Sequence, residues 1–276
     1  MIERFAQLPS ALKSASRLVR LGPAEVPALL AHPDWSTPAP TVLWMHGRTV
    51  DKTLDPGRYL RWIRAGIAAC AVDLPGHGER PGPRLHGPEH TLYVVERMIA
   101  EIDGVVDALA ERRWGGAFDR ERLGVGGMSA GGMAALRRCC DDHPFRAVAV
   151  ESTVGDFSVM PYRERFTPDL IDRLDPIRHL DGWRCVPLLA LHSERDQWAP
   201  AQGMRNFVDA VRERCAQTGP APVPPSAQTG QTPASVEETV RLVTWPQTGA
   251  PNEHAGFGRF ANDAKNLQVE FFRRWL

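Results

Sequence analysis

The sequence predicts an α/β fold: a doubly wound, mostly parallel sheet with helices on both faces and a small cap insertion. Three observations predict it. Short apolar runs bounded by Gly and Pro alternate with helical stripes along the chain, and strands joined by crossover helices run parallel. A glycine-rich stretch, Gly127 to Gly131, joins one such run directly to a helix. The 276 residues are 43% hydrophobic and 24% charged, a balance that suits a folded globule with a sizeable core. Length alone suggests about two domains, but α/β proteins of this size often form one. No linker divides the chain, so a single domain over residues 1–276 is expected.

Arg17–Leu21 and Val26–Ala31, split by Gly22-Pro23, read as an opening antiparallel hairpin. Thr41–His46 is a short apolar run between Pro40 and Gly47, hence a buried strand. Asp55-Pro56 opens a helix that stops at Gly66, with Pro just inside its start and Gly just past its end. Ile67–Val72 is a second buried strand. From Thr91 to Arg113 a stripe of Val94, Val95, Met98, Ile102, Val105, Val106 and Leu109 marks a helix. Arg122–Met128 is a strand, Ala130–Asp141 a helix and Ala147–Glu151 a strand. Pro187–Leu191 is a strand, Pro200–Cys215 a helix, Val240–Trp245 a strand and Ala261–Trp275 a final helix.

Two stretches break this alternation. Residues 155–182 hold Phe157, Met160, Tyr162 and Phe166 and then an Asp- and Arg-rich helical segment, which suits a small cap over a site. Residues 216–235 are rich in Pro, Thr, Gln and Ser, cannot build a core, and read as a flexible loop.

Charge narrows the partners. With 33 basic and 33 acidic residues the net charge is zero, which argues against nucleic-acid or membrane-surface binding. No apolar stretch approaches the roughly 18 residues needed to span a bilayer. The N-terminal region lacks the apolar run of a secretory signal, so a cytoplasmic location is expected. The five cysteines of the chain, Cys70, Cys139, Cys140, Cys185 and Cys215, form no C-x-x-C pair. Their low, odd count suits a reducing compartment in which most are buried small hydrophobes. Nothing in the sequence speaks to oligomeric state.

Gly127-Met128-Ser129-Ala130-Gly131 follows the G-x-S-x-G pattern. Alone it arises by chance in roughly one chain in ten of this size. Between a strand and a helix it reads as a nucleophile elbow, in which a sharp turn leaves no room for side chains two residues either side of the serine. The plainer alternative is a glycine-rich turn with an N-capping serine. A nucleophilic serine needs a base, and the base needs an orienting acid. His254 is the last histidine in the chain and lies in a glycine-rich loop after the final strand. Asp196 follows the Pro187–Leu191 strand, with Glu194 its nearest competitor. The chain order Ser129, Asp196, His254 is the order such sheets use. For an oxyanion hole the backbone N–H groups of Ala130 and Arg48 are the candidates, with His46 as a buried support.

Trp44-Met45-His46-Gly47, Asp73-Leu74-Pro75-Gly76-His77-Gly78, Gly127 to Gly131, the Asp196 loop and Asn252-Glu253-His254 occur in this order. Together they resemble the α/β-hydrolase superfamily, and within it the dienelactone-hydrolase-like and prolyl-oligopeptidase-like serine esterases of bacteria. The resemblance runs over nearly the whole chain from about Arg17. It implies an eight-stranded sheet, no metal or other cofactor, and hydrolysis of esters, lactones, thioesters or peptides. Dienelactone hydrolases proper use Cys where this chain has Ser129, and Arg48 after His-Gly is unusual.

The expected activity is therefore that of a serine hydrolase cleaving a small-molecule ester of a small or medium acyl group. A peptidase or amidase, a thioesterase or lactonase, and a non-catalytic ligand-binding protein of the same fold are the alternatives. Phe157, Met160 and Trp198 are expected to contact substrate. The Arg48 side chain either pairs with a substrate carboxylate or is neutralised by a nearby acid. Gly76-His77-Gly78 lacks the Lys and helix of a phosphate loop. His86 and His90, separated by Gly87-Pro88, lack the setting of a zinc helix.

Overall fold

The protein is described by a computed structural model over residues 7–219 and 235–276. The apolar runs form strands β1 (Ser16–Leu21), β2 (Val26–Ala31), β3 (Ala39–Met45), β4 (Ala68–Val72), β5 (Phe118–Met128), β6 (Phe145–Glu151), β7 (Leu188–Ser193) and β8 (Val240–Trp245). They make one sheet of eight strands in the order β1-β2-β4-β3-β5-β6-β7-β8. The hairpin strand β1 pairs antiparallel with β2, and β2 with β4; every pairing from β4 to β8 is parallel. The chain leaves β3 for β4 on one side and then returns to lay β5 on the other. That reversal opens a crevice beyond the carboxyl ends of β3 and β5, where open α/β sheets bind ligands.

Helices are α1 (Ser10–Ser14), α2 (Pro56–Arg64), α3 (Thr91–Ala108), α4 (Ala130–Arg138), α5 (Pro168–Leu174), α6 (Ala201–Thr218), α7 (Val236–Thr239) and α8 (Ala261–Trp275). Strand side chains alternate between the faces. Leu43 and Met45 of β3 join the core shared with α3, α4 and α6, while Val42 and Trp44 join the one shared with α2 and α8. Among the described residues no helix is long and apolar enough to cross a membrane.

Several boundaries differ from the sequence expectation. Strand β5 starts at Phe118 rather than Arg122, because Phe118 and Asp119 pair with Ala39 and Pro40 before a register shift. The polar run Asp119 to Arg122 hides that extension. Helix α3 stops at Ala108 rather than Arg113, where the Trp114 indole N–H takes the Ala108 carbonyl at 2.8 Å. Helices α1 and α7 are too short to show a period; α7 is opened by a capping box between Ser235 and Glu238. Helix α6 runs through Thr218, so residues 216–218 are helical, and the loop expected over 216–235 otherwise falls almost wholly outside the described residues.

The cysteine expectation needs correction. Cys185 and Cys215 are joined as a disulfide, with Cα atoms 5.3 Å apart. A crossover helix returns to the start of the strand it follows, so a cysteine entering β7 meets one near the end of α6. Cys70, Cys139 and Cys140 are free and buried.

Residues 155–182 fold as short 3-10 turns around α5, which Thr167 caps through the Leu170 N–H. Phe157, expected over the site, is instead fully buried in the core beneath this segment. Its N–H is held by the Asp175 carboxylate at 3.0 Å, which fixes the turn with the ring facing inward.

Candidate active site

The crevice is built around a strained turn. Ser129 sits between β5 and α4 with φ 52° and ψ −120°, a conformation that costs a non-glycine residue about 1–3 kcal/mol. Its surroundings hold it there. The Ser129 N–H donates to the Glu151 carbonyl at 3.0 Å, and its carbonyl accepts from the Met133 N–H at 2.9 Å and the Thr153 hydroxyl at 2.7 Å. The two glycines of the pattern are required by close backbone approach. A Cβ on Gly131 would lie 2.3 Å from the Met45 carbonyl oxygen, and one on Gly127 would lie 2.5 Å from the same atom. The end of β3 thus presses directly on the turn. The N-capping alternative does not hold, because the Ser129 side chain makes no cap bond to α4.

That hydroxyl lies 3.0 Å from His254 Nε2 instead. His254 Nδ1 in turn lies 2.8 and 3.0 Å from the two oxygens of Asp196. Burial alone would raise the Asp196 pKa, but the approach of His192, the bond from His254 and the Ala199 N–H together hold it at about 2. An ionised carboxylate only accepts, so Nδ1 carries the imidazole proton and Nε2 is left free to accept from Ser129. Asp196 Oδ1 also accepts the N–H groups of Trp198 and Ala199 at 2.9 and 2.8 Å, which fixes the carboxylate plane. Glu194 points away and pairs with Arg205 of α6.

Sequence reasoning did not single out Glu253, whose side chain shapes the histidine loop. Its Oε2 accepts from the Ser193 hydroxyl at 2.6 Å, the Thr248 N–H at 2.6 Å and the Thr248 hydroxyl at 2.8 Å; its Oε1 accepts from Gly249 N–H at 2.7 Å. The bond from Ser193, then that from the Thr248 N–H, holds the carboxyl down at about 2. This clamp ties the end of β7 to the loop after β8, so the loops carrying Asp196 and His254 are positioned together. The only sequence signal was an acid beside the histidine in a glycine-rich loop.

Gly47 abuts the turn: a Cβ there would meet the Ser129 Cβ at 3.4 Å. His46 is buried, donates from Nδ1 to the Gly47 carbonyl and accepts the Leu74 N–H on Nε2 at 3.1 Å. Burial pushes its pKa down to about 4, so it supports the loop as a neutral ring. Ala130 is the first residue of α4, and its N–H therefore has no partner within the helix.

A cavity of about 740 Å³ opens over Ser129 and His254. Arg48, Met160, Tyr162, Phe166 and Trp198 line it, and Phe157 does not. The Trp198 ring lies 5.3 Å from that of His254 and is 46% exposed, so it forms a rim. Glu151, also in the lining, is held by Arg58 through two bonds of 2.8 Å. Asp156 caps Ser158 and accepts from Asn206 away from the cavity. Among the described residues no group of three or more His, Cys, Asp or Glu is placed to hold a metal ion. His86 is engaged with the Gly76 carbonyl at 3.0 Å.

Comparison with known proteins adds a family. The model described as the alpha/beta hydrolase family matches residues 42–271. The esterase YjfP of Escherichia coli K12 is 26% identical over 209 residues, covering 69% of this chain and 82% of that protein. Among solved structures, TT1662 from Thermus thermophilus matches with a TM-score of 0.66 at 22% identity, over 94% of this chain and 98% of its own. The Pyrococcus furiosus esterase Pf2001 matches with a TM-score of 0.63 at 18% identity, over 94% of this chain and 92% of its own. A puromycin-hydrolyzing peptidase of Mycobacterium tuberculosis matches with a TM-score of 0.68 at 21% identity; it covers 98% of this chain, which spans 41% of that protein. At these identities the structural likenesses establish the fold alone.

Proposed function

Because the chain belongs to the alpha/beta hydrolase family, its crevice can be treated as a hydrolase site, and we propose that it is a serine esterase. The substrate in this reading is a carboxylic ester of a small or medium acyl group. The observation that carries the reading is the unbroken hydrogen-bond chain from Ser129 Oγ through His254 to an ionised Asp196, set on a strained turn.

In this reading Ser129 Oγ attacks the ester carbonyl while His254 Nε2 takes its proton. The N–H groups of Ala130 and Arg48 receive the developing oxyanion. His254 then protonates the departing alcohol, leaving an acyl-Ser129 that water, deprotonated by the same imidazole, hydrolyses. Asp196 stays ionised throughout and stabilises the imidazolium. A cavity of about 740 Å³ lies within the range of small-molecule sites, which favours compact substrates.

Two observations favour esters over peptides. The relative YjfP is an esterase. The acids at the cavity, Glu151 and Asp55, are already bound by Arg58 and Lys265, so neither is free to capture an amine terminus. Replacing Ser129 by Ala is expected to lower turnover of a short-chain aryl ester about a millionfold. A fluorophosphonate should label Ser129 alone, read by mass spectrometry of the digested protein. A folded Ser129→Ala protein that keeps its activity would overturn the reading. Faster turnover of aminoacyl anilides than of aryl acetates would move it to a peptidase.

A further inference from the structure

Apart from histidines, five charged side chains among the described residues line the cavity: Arg48, Asp55, Arg58, Glu151 and Lys265. Four of them neutralise one another. Arg58 binds Glu151 at 2.8 Å and Asp55 at 3.0 Å, and Lys265 binds Asp55 at 3.1 Å. Arg48 is the fifth, and among the described residues no carboxylate lies within 4 Å of it. The acid that acts on it electrostatically, Glu89, is half-exposed and sits instead 3.8 Å from both Arg165 and His90. Among the described residues, these charged side chains of the cavity lining therefore sum to one net positive charge, carried by Arg48.

The Arg48 guanidinium is also oriented. Its Nη1 donates to the His86 carbonyl, which tethers the guanidinium, and among the described residues the other N–H groups of the fork make no hydrogen bond. Partial burial lowers the Arg48 pKa, so its charge is only partly solvated. Tyr162 of the cap segment lies near the guanidinium and lines the same cavity. A planar, half-buried cation with a neighbouring hydroxyl matches a carboxylate, which can accept two parallel N–H bonds. Arg48 and Ser129 line the same cavity of about 740 Å³, so a carboxylate held by the guanidinium and the reacting carbonyl fit within one small molecule.

We propose that the Arg48 side chain is a carboxylate-recognition subsite, and that preferred substrates are esters bearing a second, ionised carboxylate. The proposal rests on the serine-esterase reading of Ser129 and narrows it to a substrate class. The carboxylate can belong to the acyl part or to the alcohol part, and two substrate pairs separate these sources. The first compares 4-nitrophenyl hemiglutarate with 4-nitrophenyl pentanoate. The second compares 3-carboxyphenyl butyrate with 3-carbamoylphenyl butyrate.

In one pair the wild-type protein should prefer the anion by tenfold or more in kcat/KM, the size of a charge-assisted contact. Arg48→Met should bring that ratio close to one, and Arg48→Lys should retain part of it. The ratio is the readout because any general loss of turnover in these variants cancels. A ratio near one in both wild-type pairs, or a preference that survives in Arg48→Met, overturns the subsite. Calorimetry provides a readout without turnover: either 4-nitrophenyl hemiglutarate or 3-carboxyphenyl butyrate should bind Ser129→Ala at least tenfold more tightly than it binds the Ser129→Ala, Arg48→Met protein. Equal binding of both carboxylate esters by the two proteins overturns the subsite even where ester turnover is absent. Loss of turnover on every ester, with this binding difference intact, overturns the esterase reading alone.

Discussion

Asp196 and Glu194 stand two residues apart in one loop, and sequence order alone could not choose between them. The structure separates them by what each side chain meets. Asp196 is buried, accepts two backbone N–H groups and faces His254; Glu194 reaches Arg205 near the surface. Asp196→Asn should therefore lower ester turnover by about 10³–10⁴, because an amide favours the wrong imidazole tautomer. The fold should persist, seen as an unchanged far-UV circular dichroism spectrum. Glu194→Gln loses a surface pair worth about 0–1 kcal/mol and should leave kcat/KM within a few-fold. A larger loss at Glu194 than at Asp196 would refute the assignment. Ser129, Asp196 and His254 were legible because each chemistry-bearing residue type follows a strand in the expected order. Glu253 was not, since its value lies in four bonds made to Ser193, Thr248 and Gly249, and no spacing encodes them.

At the scale of elements, the segment over residues 155–182 was legible as an interruption but not as a surface. Its aromatic and Met residues fit no single helical period, so the sequence could not say which faced the cavity. The observed turns sort them: Phe157 is buried in the core, while Met160, Tyr162 and Phe166 line the cavity. The sorting gives opposite expectations for two truncations. Phe157→Ala should cost about 3–5 kcal/mol in urea unfolding, as removal of a buried ring does, with the ranking of acyl chains unchanged in the protein that folds. Met160→Ala should cost far less stability, since the side chain is only partly buried, and should weaken the discrimination between acetyl and hexanoyl esters. A shifted acyl profile in Phe157→Ala with none in Met160→Ala would reverse this account of the segment. The helices beside it were read well because their stripes extend over several turns, whereas α1 and α7 are too short to carry one.

Across the whole molecule, alternation in the sequence indicates a parallel sheet but is silent about which strands are neighbours. Contacts between distant segments share that silence, and the clearest case joins three of them. Arg58 on α2, Glu151 at the end of β6 and Gln268 on α8 are all buried and bonded to one another. The Arg58 guanidinium also stacks 4.2 Å from the Trp44 ring of β3. The Glu151 carbonyl receives the Ser129 N–H, so the network backs the strained turn as well as one wall of the cavity. A buried ion pair adds little stability over an apolar pair of the same shape, because desolvation offsets the attraction. Losing one partner is different, since it strands the other charge. Arg58→Met should therefore destabilise by about 3–5 kcal/mol in equilibrium urea unfolding. Removing the stranded charge as well, in Arg58→Met with Glu151→Gln, should recover much of that loss and give a double-mutant coupling above about 1 kcal/mol. Additive losses from the two substitutions would show that the ions stabilise their elements independently, and that the link between α2 and β6 is carried by apolar packing instead.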